Sequence, residues 1–241
     1  MGFFGELYLR STRPFLGAEL SGREAAYLAR AFDGVAAAGP ILDLGCGHGR
    51  HAARLARQLP GGRSVIGLEL DALSLTEREG AFPAIRGDLR ALPIRSGTLG
   101  GAFAWYSSLF TFDDATQERL IIEIGRCLAP GGRLVVQTLP RERLEANPIG
   151  WFESALPGGG VVRECSRFDP ESGCDNARRQ LVTADGRFLS APYFIRYYRP
   201  LELARMFEAF GFTVRWIHGG LGGEPCDSAS AELIMGVDRN A

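Results

Sequence analysis

One stretch limits the folds open to this chain more than any other: ILDLGCGHGRHAARLARQ, residues 41–58. A short apolar run carrying Asp43 is followed by glycines at 45, 47 and 49. A helical stripe of Ala52, Leu55, Ala56 and Leu59 comes next, stopped by Pro60-Gly61-Gly62. The text therefore reads strand (41–44), tight turn, helix (51–59). Glycines at this spacing let the backbone turn sharply and let a ligand approach main-chain N–H groups with no Cβ in the way. The helix that follows presents its positive end to an anion such as a carboxylate.

The same rhythm continues. SVIGLEL (64–70), AIRGD (84–88), GAFAWY (101–106) and RLVVQTL (133–139) read as strands. Helices are predicted over 72–79 and 113–128, the latter ended by Pro130-Gly131-Gly132. Near-continuous apolar strands alternating with helices imply a parallel sheet covered on both faces. Upstream, SGREAAYLARAF (21–32) reads as a helix opened by a Ser21-x-x-Glu24 capping box, with Ala25, Leu28 and Phe32 on one face. At about 140 the rhythm breaks into an antiparallel meander of VVRECSRF, RRQLVTA and RFLSAPYFIRYY, with turns at 169–176 and 184–186. It returns with LELARMFEAFGF, TVRWIHGG and ELIMGVD. The expected organisation is an N-terminal lid and helix (1–35), a ligand-binding core (36–140), a β insertion on the substrate side (141–199), and a C-terminal helix and hairpin completing the core (200–241).

Composition narrows the chemistry. The 241 residues include 27 basic ones, every one Arg, against 28 acidic, for a net charge of -1. A chain without Lys runs no Schiff-base chemistry, and a balance this neutral argues against a nucleic-acid partner. Five cysteines at irregular spacing form neither a disulfide framework nor a zinc pattern. No carboxylate cluster has magnesium-ligand spacing, so no metal is expected. No apolar run approaches a membrane span, and the start does not read as a signal peptide. The expectation is a reduced, cytoplasmic protein away from membranes.

Two further acids end predicted strands. Glu69 closes the second and Asp88 the third, in GDLRALP. In an open parallel sheet such ends lie side by side at the switch point where ligands bind. With them the chain resembles the class I S-adenosylmethionine (SAM)-dependent methyltransferase family. LDLGCGHGRHA, VIGLELD, GDLRALP, WYSSLFTFDD and RCLAPGGRLVV match its motifs in order over about 40–139, and the C-terminal YRPLELARMFEAFGFTVRWIHGG…AELIMGVDR resembles its last helix and hairpin. The ribose acid, most often Asp, is Glu69 here, and Leu99-Gly100 stands where the family often has Phe-Asp. The resemblance implies a Rossmann-like seven-stranded fold, mostly parallel with an antiparallel last strand, plus the inserted antiparallel sheet. It implies SAM as cofactor and S-adenosylhomocysteine as product. Asp43 would reach the methionine amino group, with backbone contacts from the loop of Gly45, Cys46, Gly47 and Gly49. Glu69 would hold the ribose, Leu70 pack by adenine, Asp88 take the adenine amine and Leu89 a ring nitrogen. Trp105 and Tyr106 would wall the sulfonium.

In-line transfer from a sulfonium needs alignment and dryness more than acid–base groups. No triad is present. Candidates for a base are Tyr106, His51 and Tyr8; the plainer reading makes the first a wall and the histidines, His48 included, braces of the loop. Substrate-side candidates are Tyr8 and Arg13 in the N-terminal lid, and Arg196 and Tyr198 on the insertion. The alternative for the insertion is a solvated Arg face. The expected acceptor is a small molecule methylated at N, O or C, with a homodimer left open. The rivals are an RNA or protein methyltransferase and a non-catalytic SAM-binding partner.

Overall fold

The computed structural model describes residues 2–241. Two helices come first, α1 (Glu6–Thr12) and α2 (Ala18–Phe32). The core then runs β1 (Ile41–Leu44), α3 (Ala52–Leu55), β2 (Val65–Glu69), α4 (Ala72–Thr76), β3 (Ala84–Arg86), β4 (Leu99–Ala104), α5 (Asp114–Cys127) and β5 (Leu128–Thr138). After α6 (Arg141–Ala146), strands β6 (Trp151–Ala155), β7 (Gly160–Asp169), β8 (Cys174–Thr183) and β9 (Phe188–Arg196) form the insertion. α7 (Pro200–Ala209), β10 (Phe212–His218) and β11 (Leu233–Arg239) return to the core.

Seven strands make one sheet in the order β10-β11-β5-β4-β1-β2-β3, and β6-β7-β8-β9 make a separate antiparallel one. β1 pairs in parallel with both β2 and β4, and β11 runs antiparallel to β5. The chain moves outward from β1 through β2 to β3, then crosses back to β4. The crevice this reversal leaves lies at the carboxyl ends of β1 and β4. One face of the sheet packs on α5 and α7 through Ile121, Ile124, Leu203 and Phe207. The other packs on α2 and α3 through Leu28, Phe32, Ala52 and Leu55.

Several elements differ from the expectation. Ser21 caps nothing. α2 starts one turn earlier, and the Ser21 hydroxyl, inside the helix, donates to the Gly17 carbonyl at 2.9 Å. Glu24 turns inward instead of back to the N-terminus, because cationic and N–H donors await it there. α3 is a single turn; beyond it Arg57 and Gln58 donate to the carbonyls three residues back, a tightened coil. β4 ends at Ala104, so Trp105 and Tyr106 belong to the turn after it. The insertion has a fourth strand, β6, whose alternating exposed positions left little apolar signal. The Arg face of β7 points outward. Val162 and Glu164 are the buried set, while Arg163 pairs with Glu153 on β6. At the family's Phe-Asp position, a Cβ on Gly100 would meet the backbone carbonyls of Ala37 and Gly39 at 2.6 and 2.9 Å, so the backbone leaves no room there for an Asp side chain.

α1 straps the insertion to the core. Phe3 and Leu7 pack with Leu181 and Ala191, and Phe3 stacks on Tyr193 with centroids 3.8 Å apart. Arg10 pairs with Glu77 beyond α4 at 2.5 Å, and Glu6 with Arg187 of the insertion at 3.0 Å.

Gly49 combines a φ of +75° with a ring in the way: a Cβ there would overlap Phe82. Gly49→Ala is expected to cost about 2–3 kcal/mol, read as a lowered urea midpoint. An unchanged midpoint would mean that Phe82 does not pack under the loop.

Candidate active site

Four strand ends build the site. The N–H groups of Gly45 and Cys46 both donate to the Leu68 carbonyl, at 2.9 and 3.0 Å, which folds the glycine loop over β2. Ser108 donates to the Leu44 carbonyl at 3.1 Å and ties the turn after β4 to β1. That turn holds Tyr106 and Ser107 at φ of 54° and 56°, a left-handed conformation that side chains normally avoid. Gln137 keeps it there: the Tyr106 N–H donates to its Oε1 at 2.7 Å and the Ser107 N–H to its carbonyl at 3.0 Å. Gln137 and Thr138 were not singled out from the sequence; their position at the end of β5, beside β4, is what brings them in.

Two connected spaces result. A cavity of about 240 Å³ is lined by Phe4, Tyr8, Glu69, Leu70, Asp88 and Leu89, among others. Behind it a chamber of about 40 Å³ is lined by Asp43, Cys46, His48, Arg50 and His51. Tyr8, Gly45, Gly47, Trp105 and Tyr106 border both. Asp43, Glu69, Asp88, Trp105 and Tyr106 thus all line one or both of these spaces. Gly49 braces the loop from within, its N–H on the Cys46 carbonyl at 2.8 Å.

The carboxylates differ in state. Glu69 accepts from the Gly47 N–H at 2.9 Å and the Asp71 N–H at 2.8 Å. Asp88 is paired with Arg90 at 2.6 Å, which holds its carboxyl below the usual range. Asp43 is 2% exposed and its Oδ2 has no partner. Burial pushes its pKa up to about 8, with Glu69 adding to the rise and Arg50 opposing it.

Beneath the loop lies a buried cluster that sequence reading missed. The Glu24 carboxylate accepts from Arg50, from His51 Nε2 at 3.0 Å and from the Trp105 indole N–H at 3.0 Å. Burial opposes its charge, but the His51 and Arg50 hydrogen bonds outweigh that and bring Glu24 down to about 2. Burial lowers His51 and His48 to about 4 each. Both rings are neutral at pH 7, and His51 spends its Nε2–H on Glu24. Burial raises Tyr106 to about 12 and also raises Tyr8. None of the three candidate bases is poised to take a proton near neutrality.

Three substrate-side candidates lie elsewhere, which corrects the expectation. Arg13 sits 3.4 Å from Glu77 and 3.9 Å from Glu79. Arg196 pairs with Glu202 at 3.0 Å and covers the Tyr198 ring at 4.5 Å. Tyr198 is buried and its hydroxyl accepts from Gln117 of α5 at 2.7 Å, on the far face of the sheet. Of these candidates Tyr8 alone reaches the cavity.

Residues 41–132 match the family model described as a methyltransferase domain. Over that stretch, which holds the glycine loop and the strands around it, the chain is similar to methyltransferase domains. A SAM-dependent methyltransferase from Clostridium acetobutylicum has the same fold, with a TM-score of 0.80 and 12% identity over 98% of this chain and 97% of that one. CalS10, a SAM-bound amino pentose methyltransferase from Micromonospora echinaspora, superposes with a TM-score of 0.68 and 22% identity, over 98% of this chain and 97% of its own. A tRNA U34 carboxymethyltransferase of Methylococcus capsulatus is 32% identical over 108 residues, which span 41% of this chain and 32% of that protein.

The shifted groups set the pH response. His48 and His51 titrate at about 4 when folded against 6.5 unfolded, and Glu24 at about 2 against 4.5. All three give stability that is complete above the unfolded values and is lost as pH falls through the folded ones. Asp43, raised from 3.8 to about 8, acts in the opposite sense between those values. The melting temperature is therefore expected to fall as pH drops from 6.5 to 4, and His51→Gln to flatten that fall. An equally steep decline in the variant would remove His51 from the account.

Proposed function

We propose that the protein transfers a methyl group from SAM to a small-molecule acceptor. The observation that carries this reading is the division of the site. A larger space with two carboxylates suits a ribosyl-adenine, and a small polar chamber with Asp43 and Arg50 in its wall suits an amino-acid head. The unpartnered Asp43 oxygen fits a bound ammonium, which would return its raised pKa toward the ionised form. Glu69 would accept from the ribose hydroxyls, Asp88 from the adenine amine, with Leu70 and Leu89 against the ring. Bound SAM supplies a methyl on a sulfonium, whose transfer leaves a neutral thioether. Tyr8, Trp105 and Tyr106 provide aromatic surface to a cation and shed water from it. The chain's task is alignment rather than proton transfer, since its nearby histidines and phenols keep their protonation state at pH 7.

For the acceptor, support for a small molecule comes from the exposed apolar rim of the cavity, Phe4, Leu70 and Tyr106. The solved amino pentose methyltransferase is a fold neighbour of that kind. An RNA acceptor is the second reading, favoured by the tRNA relative. Transfer of labelled methyl from SAM to pooled metabolites, but not to tRNA, is the expected outcome; label appearing only in tRNA would reverse the choice.

Two variants test the site. Glu69→Ala and Asp88→Ala are each expected to weaken S-adenosylhomocysteine about tenfold or more in calorimetry, and unchanged affinity in both would remove the assignment. Tyr106→Phe is expected to keep kcat within about tenfold, whereas loss of a general base costs about 10²–10⁴-fold.

A further inference from the structure

The helix N-terminus expected to face the cofactor's carboxylate belongs to a single turn, too short to carry much of a helix dipole. Two of its N–H groups are spent within the turn: Ala53 donates to the Gly49 carbonyl at 3.1 Å and Arg54 to the His51 carbonyl at 3.1 Å. The loop N–H groups of Gly45, Cys46, Gly47 and Gly49 are likewise spent on Leu68, Glu69 and Cys46. An amino-acid head entering the small chamber would find its carboxylate facing other donors.

One such donor is present. Arg50 is buried, with 5% of its side chain exposed, and it lines the chamber with Asp43. Its Nη1 donates to Ser21 at 3.2 Å and to Glu24. Its Nη2 donates to nothing, and neither does Asp43 Oδ2 accept anything. Buried polar atoms without partners are rare in folded proteins. Here one cationic donor and one acidic acceptor are left over in the same chamber, together with the neutral His48 ring, whose Nε2 lies 3.4 Å from Glu79. That pair is the complement of a zwitterion: ammonium to Asp43, carboxylate to Arg50. The Tyr106 ring lies 5.0 Å from the Arg50 guanidinium, so the residue expected at the sulfonium wall also covers the arginine. Ser21 and Glu24 fix the guanidinium from behind and leave Nη2 as its unspent face.

We propose that Arg50 is the receptor for the α-carboxylate of the bound nucleoside amino acid, so that this site selects ligands with an intact zwitterionic head. The proposal rests on the methyl-transfer reading above. It makes α2, through Ser21 and Glu24, part of the cofactor site.

The test compares three nucleosides by calorimetry on the full chain: S-adenosylhomocysteine, its decarboxylated analogue, which keeps the ammonium, and 5′-methylthioadenosine, which lacks the head. A hydrogen bond between charged groups is worth about tenfold or more in affinity. The wild-type protein is therefore expected to bind the decarboxylated analogue at least about tenfold more weakly than S-adenosylhomocysteine. Arg50→Met is expected to weaken S-adenosylhomocysteine to the level of that analogue while leaving the analogue and 5′-methylthioadenosine within about twofold. Equal binding of the two amino nucleosides by the wild type overturns the proposal, and so does a folded Arg50→Met protein that keeps the preference. Should Arg50→Met fail to fold with Glu24 left stranded, the double variant Glu24→Gln/Arg50→Met, which leaves no unpaired carboxylate, takes its place: loss of the preference for S-adenosylhomocysteine is expected, and a retained preference overturns the proposal. Binding of 5′-methylthioadenosine with no gain from the amino-acid head rejects Arg50 but keeps the nucleoside site. No binding of any of the three rejects the methyl-transfer reading and the proposal with it.

Discussion

The buried carboxylate of Glu24 joins the parts of this molecule that have to meet. It lies on α2, outside the matched domain, and it receives Arg50 and His51 from the glycine loop and Trp105 from the end of β4. A guanidinium 5% exposed is costly to bury without such a partner. Removing one member of a buried pair typically costs about 3–5 kcal/mol because the other is left stranded. The loop, the aromatic wall and the N-terminal helix are therefore held in register by one group. The apolar packing of α2 through Leu28 and Phe32 brings that group to depth.

The sheet supplies the second constraint. Reversal of strand order at β1 opens a crevice at the strand ends, and the loop N–H groups close over it by bonding to Leu68. The left-handed turn at Tyr106 and Ser107 is the cost of presenting an aromatic there, and Gln137 holds it. The insertion contributes no lining residue to the larger cavity. It acts through the N-terminal segment, whose Phe3 stacks on Tyr193 and whose Phe4 and Tyr8 reach the site.

Much of this was legible in the sequence because it is local. Apolar runs marked the core strands, and Asp43, Glu69 and Asp88 came together because strand ends in a parallel sheet must. What was illegible depended on pairings between distant segments. Ser21-x-x-Glu24 has the form of a capping box, and nothing local says that Glu24 faces inward toward Arg50. Period-2 alternation sorts the residues of each insertion strand into two faces, but it does not say which face is covered. Arg196 and Tyr198 are claimed by α5 and α7, elements whose placement only the sheet order reveals. β6 escaped because an edge strand with exposed alternate positions carries little apolar pattern.

The account stands on the division of one site into a nucleoside cavity and an amino-acid chamber. A crystal structure of the S-adenosylhomocysteine complex tests that division most directly. The adenosine is expected between Glu69 and Asp88, with the homocysteine head passing behind Gly47 into the chamber of Asp43. Density for the ligand with its amino-acid head turned outward to solvent, and the chamber of Asp43 empty, would contradict it.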